Sequence, residues 1–145
     1  MSKLCIAMMG LPRSGKSTIA ADLSKMYSAP IVCRDAIRLA LHGQRFQQEA
    51  ETMVKAISDI MLRALFLSGH EVVIVDETNY SRAARDTLKS PSWNTVFYEI
   101  FTDPDTCKQR AIETLQTDLV SVIDSMYARY EPLGEDEVRY VGSTH

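Results

Sequence analysis

Residues 10–18 read GLPRSGKST and lie between a short apolar run, KLCIAMM at 3–9, and a helix-patterned stretch that opens with IAADL. Gly10-x-x-x-x-Gly15-Lys16-Ser17 at a strand-to-helix junction is the setting in which a phosphate-binding loop works. The glycines let the backbone turn tightly and aim successive N–H groups inward, and the following helix adds the positive end of its dipole. In such a loop Lys16 reaches the β- and γ-phosphates and the Ser17 hydroxyl ligates Mg²⁺. Gly10, Arg13, Ser14, Gly15, Lys16, Ser17 and Thr18 are accordingly assigned to the nucleotide, with ATP and Mg²⁺ as the expected cofactors. The loop alone does not say whether the phosphate is held, hydrolysed or transferred.

The rest of the chain alternates strand and helix signals. The run at 3–9 is continuously apolar, as a central parallel strand covered on both faces should be. A helix over 15–26 follows, with Ile19, Ala20 and Leu23 inward. Pro30 opens a short strand, IVC, that runs into Arg34-Asp35. Helical patterns cover 36–41 and 46–67; in the second, Met53, Ala56, Ile57, Ile60, Met61, Ala64 and Leu65 recur with a period near 3.6. Gly69 suits a left-handed turn after that helix. EVVIVD (71–76) is the clearest strand, a helix is expected over 81–89, and TVFYEIF (95–101) reads as another strand. Asp103-Pro104 caps a further helix, 119–130 is helical, and EVRYV (137–141) is a short edge strand. This order implies an open α/β parallel sheet with helices on both faces, and ligands on such sheets sit beyond the carboxyl ends of the strands.

Composition narrows the class. A chain of 145 residues with 46% apolar and 24% charged residues is expected to form one compact domain, 1–145, around its own core. A formal charge of −3 excludes a bulk polycation, although a local basic groove stays open. Cys5, Cys33 and Cys107 are scattered and read as reduced thiols of a cytoplasmic protein, with Cys5 and Cys33 expected to be buried in strands. Apolar runs fall short of the roughly 20 residues that cross a bilayer, so no membrane association is expected.

Three chemical positions converge on one end of the expected sheet: the loop, Asp35 after the second strand, and Asp76 after the third. Asp76 is placed as a magnesium carboxylate or as a helix cap, with Glu77 as a competing carboxylate. Asp35 and Arg38, three apart, share a helix face. Asp35 suits a general base that accepts a proton from an attacking hydroxyl, and Arg38 a bidentate contact to a substrate phosphate or carboxylate. Arg82 and Arg85 read either as a grip on an anionic substrate or as a solvated helix face. Arg13, Arg34 and Arg45 would add to a positive rim, and Tyr80 and Phe46 are either stacking platforms for a base or core residues. His42, His70 and His145 show no ligand spacing.

GLPRSGKS, CRDAIR and VIVDETN, in this order and spacing, resemble the bacteriophage-type polynucleotide 5′-hydroxyl kinases. More broadly they are similar to the P-loop kinase group that includes zeta-toxin-like and small-molecule kinases. The resemblance implies a three-layer αβα fold with a parallel sheet of order 2-3-1-4-5. It also implies catalytic roles for Lys16, Asp35, Arg38, Asp76 and Arg110, with Ser17 and Asp76 on the metal. Asp35 would activate the acceptor hydroxyl, and Arg38 would bind the phosphate beside it. One departure concerns the lid, a small one over about 107–120: the stretch carries Lys108 and Arg110, then no cation until Arg129.

Three functions follow as expectations. The first is ATP-dependent transfer of the γ-phosphoryl group to the 5′-hydroxyl of a nucleic acid end. The second keeps that chemistry with a nucleoside, sugar or other small hydroxyl-bearing substrate. The third is a nucleotide-binding switch or slow NTPase, which has no need of a base at position 35.

Overall fold

The computed structural model describes residues 2–43 and 48–142; Arg45, Phe46 and His145 lie outside them. Five strands form one sheet: β1 (Leu4–Met9), β2 (Ile31–Cys33), β3 (Val72–Asp76), β4 (Asn94–Glu99) and β5 (Val138–Arg139). Their order is β2-β3-β1-β4-β5, and every neighbouring pair is parallel, which is the expected 2-3-1-4-5 arrangement. Among the described residues six helices connect them: α1 (Lys16–Tyr27), α2 (Arg34–His42), α3 (Glu51–Leu67), α4 (Arg82–Asp86), α5 (Pro104–Glu113) and α6 (Asp118–Ala128). A 3₁₀ turn, Gln48–Ala50, leads into α3.

The centre of the sheet explains the unbroken apolar run of β1. Cys5 and Ala7 point into a core with Leu62 and Phe66 of α3 and with Trp93, whose ring stacks on Phe66 at 4.8 Å. Ile6 and Met8 point to the opposite face, against Ala20 and Leu23 of α1. Alternate residues of a strand leave opposite faces, so a strand covered on both sides must be apolar throughout. A third cluster joins Leu11, inside the phosphate loop, to Cys107, Ala111 and Ile123 of α5 and α6. The segment expected as a small lid is thus packed against the shoulder of the loop.

Two expectations are corrected by packing. Most of the periodic residues of α3 do not face the core: Val54, Ser58, Leu62 and Phe66 do, with Leu65 partly buried beside them, while Met53 and Ile60 are more than half exposed. A helix with two apolar faces satisfies a 3.6-residue period on either one. The side turned inward here includes Ser58, whose hydroxyl lies 3.0 Å from Arg34 Nε. Cys33, expected buried, is only half-buried, whereas Cys107 joins Cys5 in the interior. Burial pushes the Cys5 thiol up to about 12, consistent with an inert, protonated side chain.

The C-terminal segment is locked by charge. Arg85, fully buried, places Nε 3.0 Å from Glu137 Oε2 and donates to the carbonyls of Asn79, Glu131 and Pro132. Arg82 forks onto Asp136 and also holds Asp86 at 2.9 Å. Neither arginine is a substrate grip, and Arg85 is no solvated face. Together they staple the strand β5 end of the chain to α4. Among the described residues no helix is long and apolar enough to cross a membrane.

Candidate active site

The phosphate loop owes its shape to two glycines. A Cβ on Gly10 would lie 2.9 Å from Ser14 Oγ and 3.2 Å from the Ile100 carbonyl, so a side chain there would have to push both aside. Gly15 caps α1 at φ 106°, a left-handed conformation that costs other residues energy. Arg13 also adopts positive φ, 64°, and its carbonyl accepts a hydrogen bond of 3.1 Å from Arg110 Nη1. Thr102 donates to the Ser14 carbonyl at 2.7 Å, and the Gly10 N–H donates to the Thr78 carbonyl at 2.9 Å. Asn79, buried, donates from Nδ2 to the Met8 carbonyl at 2.7 Å. The loop is therefore braced from β4, β3 and α5 before any ligand enters.

Lys16 is folded inward, its Nζ donating to the Leu11 carbonyl at 2.6 Å. Desolvation lowers its pKa, against the opposing charges of Asp76 and Asp35. The Ser17 hydroxyl, on the first turn of α1, donates to Asp76 Oδ2 at 2.8 Å. A hydroxyl and a carboxylate in contact, beside a lysine, form a hard oxygen donor pair of the kind that suits Mg²⁺ held together with nucleotide phosphates. Among the described residues no cluster of three or more His, Cys, Asp or Glu side chains could hold a metal without a ligand's help. Thr18 is exposed on the same first turn.

Asp35 and Arg38 lie on α2, directly beyond β2, and the register pairs Cys33 with Asp76 on β3. Asp35 is 63% exposed at its side chain, yet its Oδ1 accepts from Arg38 Nη1 at 2.7 Å. Arg38 is also held by a residue without a marked signal in the sequence. Glu51, at the start of α3, takes Arg38 Nε at 2.9 Å and Nη2 at 2.8 Å, a bidentate pair. Burial works against the Arg38 charge, but Glu51 and Asp35 outweigh it and hold the guanidinium firmly protonated. Arg34, expected on a positive rim, is buried and lies 2.7 Å from Glu77 Oε2. Burial pushes the Glu77 carboxyl up to about 7 despite the neighbouring Arg34 and Arg38 charges.

Lys16, Ser17, Arg34, Asp35, Arg38, Glu51, Asp76 and Glu77 open on one cleft of about 1640 Å³ beyond the carboxyl ends of the strands. Its two ends differ in charge. At the loop end stand Lys16, Arg13 and Arg110, and Arg129 lines the cleft elsewhere, 5.5 Å from the Tyr80 ring centroid. At the β2 end Arg34 and Arg38 are paired to carboxylates, and Asp35, Glu51 and Glu77 line the wall, while Asp76, at the end of β3, stands against Ser17 of the loop. Lys108, the other cation of the 107–120 stretch, turns away to Asp124 at 2.9 Å.

A phosphate loop on a five-stranded parallel sheet of order 2-3-1-4-5, with a carboxylate at the end of β3 touching the loop serine, defines a P-loop protein of the kinase-type fold. Within it, the family model described as chromatin associated protein KTI12 matches residues 4–139, and the chain belongs to that family. No curated protein matches it significantly. Among solved structures, a chain of the Pnkp1/Rnl/Hen1 RNA repair complex superposes with a TM-score of 0.68 at 16% identity, covering 99% of this chain and 53% of that one. A gluconokinase from Sinorhizobium meliloti 1021 gives 0.67 at 21% identity, covering 93% of this chain and 79% of its own. Chaetomium thermophilum Kti12 in complex with ADP-AlF3 gives 0.61 at 16% identity, over 88% and 80%. These likenesses establish the fold. The chain spans about half the length of the RNA repair protein it matches.

Proposed function

We propose that this chain is an ATP-dependent phosphotransferase whose acceptor is a small hydroxyl-bearing compound. ATP would lie along the loop, with its β- and γ-phosphates against the backbone N–H groups and Lys16, and Ser17 and Asp76 would hold Mg²⁺. Bound there, the metal would neutralise charge on the transferring group. Asp35, exposed at the β2 end, would accept the proton of the attacking hydroxyl, and Arg38 would hold that carboxylate in place. Arg110, already bonded to the loop at Arg13, is the cation best placed to add charge over the phosphates.

The observation that carries the reading is the polarity of the cleft: a cationic donor end faces an acceptor end whose arginines are already paired. A switch protein needs only the first half. A polynucleotide 5′ end is held by cations that neutralise its phosphates. Beside the acceptor position Arg34 and Arg38 are engaged by carboxylates, as are Arg82 and Arg85 on α4, and the cleft's other arginines, Arg13, Arg110 and Arg129, lie away from the β2 end. The test is transfer of labelled γ-phosphoryl from ATP to a panel of sugars, nucleosides and 5′-hydroxyl oligonucleotides, with a no-acceptor control. Label in a small acceptor supports the proposal. Label in oligonucleotides alone restores the nucleic acid end as acceptor, and label released only as free phosphate assigns the chain to the switches and NTPases.

A further inference from the structure

Arg38 stands where a phosphate beside the acceptor hydroxyl would be read, and its chemistry suits that task. In this fold the task is already taken. Glu51 presents both carboxylate oxygens to Nε and Nη2, at 2.9 and 2.8 Å, and Nη1 is spent on Asp35 at 2.7 Å. The side chains of Arg38 and Glu51 are only 15% and 19% exposed. A phosphate would have to expel a half-buried carboxylate that matches the guanidinium fork as well as it does itself, and would leave that carboxylate unpaired.

We propose that Glu51 sets acceptor specificity: by filling the Arg38 fork from α3 it closes the subsite to phosphate-bearing acceptors and leaves it to uncharged hydroxyl compounds. Glu51 acts here through Arg38 and is a positioning residue. It comes from the far side of the connection between α2 and α3 and has no counterpart in the Asp-x-x-Arg spacing of α2 itself. The same contact orients Arg38 so that Nη1 meets Asp35. The inference rests on reading the β2 end as the acceptor side, but its central measurement needs no turnover.

The probes are inorganic phosphate and a nucleoside 3′-phosphate, titrated calorimetrically into protein saturated with ADP and Mg²⁺. The variants are Glu51→Ala, Glu51→Gln and the double variant Glu51→Ala/Arg38→Ala. Glu51→Ala should bind both probes about tenfold or more tightly than the wild type, as expected for a freed bidentate fork. The parent nucleoside should show no such gain, and the double variant should lose it. Glu51→Gln, which keeps the volume of the side chain, should shift in the same direction by less. It decides the question if circular dichroism shows that the alanine variant does not fold. No gain for phosphate, or a gain that survives in the double variant, overturns the proposal. A phosphate gain without phosphoryl transfer to any acceptor leaves the Glu51 assignment standing and overturns the kinase reading instead.

Discussion

Ser17 and Asp76, 59 residues apart in sequence, meet through a hydrogen bond of 2.8 Å between the Ser17 hydroxyl and Asp76 Oδ2. Parallel pairing of β1 with β3 brings the loop and the end of β3 to the same level, and the first turn of α1 supplies the hydroxyl. Removing that hydroxyl should tell most directly on the metal. Ser17→Ala is expected to raise the Mg²⁺ concentration that supports ATP binding by about tenfold or more, the lower range for loss of even an outer metal partner. Magnesium titrations with a fluorescent ATP analogue would measure it.

Asp35→Asn keeps the size of the side chain and a contact to Arg38 but removes the carboxylate proposed as the base. Phosphoryl transfer should drop by about 10²–10⁴, the usual worth of general base catalysis, while ATP affinity stays within about twofold. Single-turnover transfer and equilibrium ATP binding separate the two effects. Retained transfer would take the base role from Asp35.

Arg110, on α5, is bonded to the loop at the Arg13 carbonyl, so Arg110→Ala should lower the transfer rate by more than about tenfold, towards the 10³ or more seen for arginines that meet the transferring group. Lys108→Ala, at a side chain turned towards Asp124, should change it little. Rapid-quench kinetics at saturating ATP would compare them. Equal effects would show that α5 acts through bulk charge and not through the contact at Arg13.

The Arg85–Glu137 pair is buried at both side chains, so Glu137→Ala leaves a guanidinium without its counter-ion. A loss of about 3–5 kcal/mol in unfolding free energy is expected, and replacing both residues by apolar ones of similar volume should recover much of it. Urea denaturation midpoints of the three proteins would show this.

Acid should weaken the same staple. Burial works to raise the Glu137 carboxyl, but Arg85, the Gly134 N–H and Lys89 outweigh it and hold it at about 2, below its ordinary 4.5. As pH falls, the unfolded chain takes up this proton first. The stability from the pair is thus fully present above about pH 4.5 and is lost as pH drops towards 2. The stability gap between wild type and Glu137→Gln should narrow over that window. A gap independent of pH would remove the charge of Glu137 from the account.

Much of this protein was legible in its residues because the signals are local. GLPRSGKST between an apolar run and a helix specifies a phosphate loop, since glycine geometry and the Lys-Ser pair act within a few residues of one another. The β–α alternation specified a parallel sheet, and Asp35 and Asp76 stood out because each closes a strand. What tertiary structure decided is the set of partners. Arg38 carries the same spacing to Asp35 whether its fork is open or filled, and only the packing of α3 beside α2 brings Glu51 to it. Arg85 has the composition of a surface helix until the segment that leads into β5 buries it against Glu137. The apolar period of α3 fits two faces, and the need to seat Ser58 against Arg34 goes with the one turned inward. A charged side chain announces its chemistry in the sequence, but whether that charge is free to meet a ligand depends on desolvation and on which opposite charge folding places beside it.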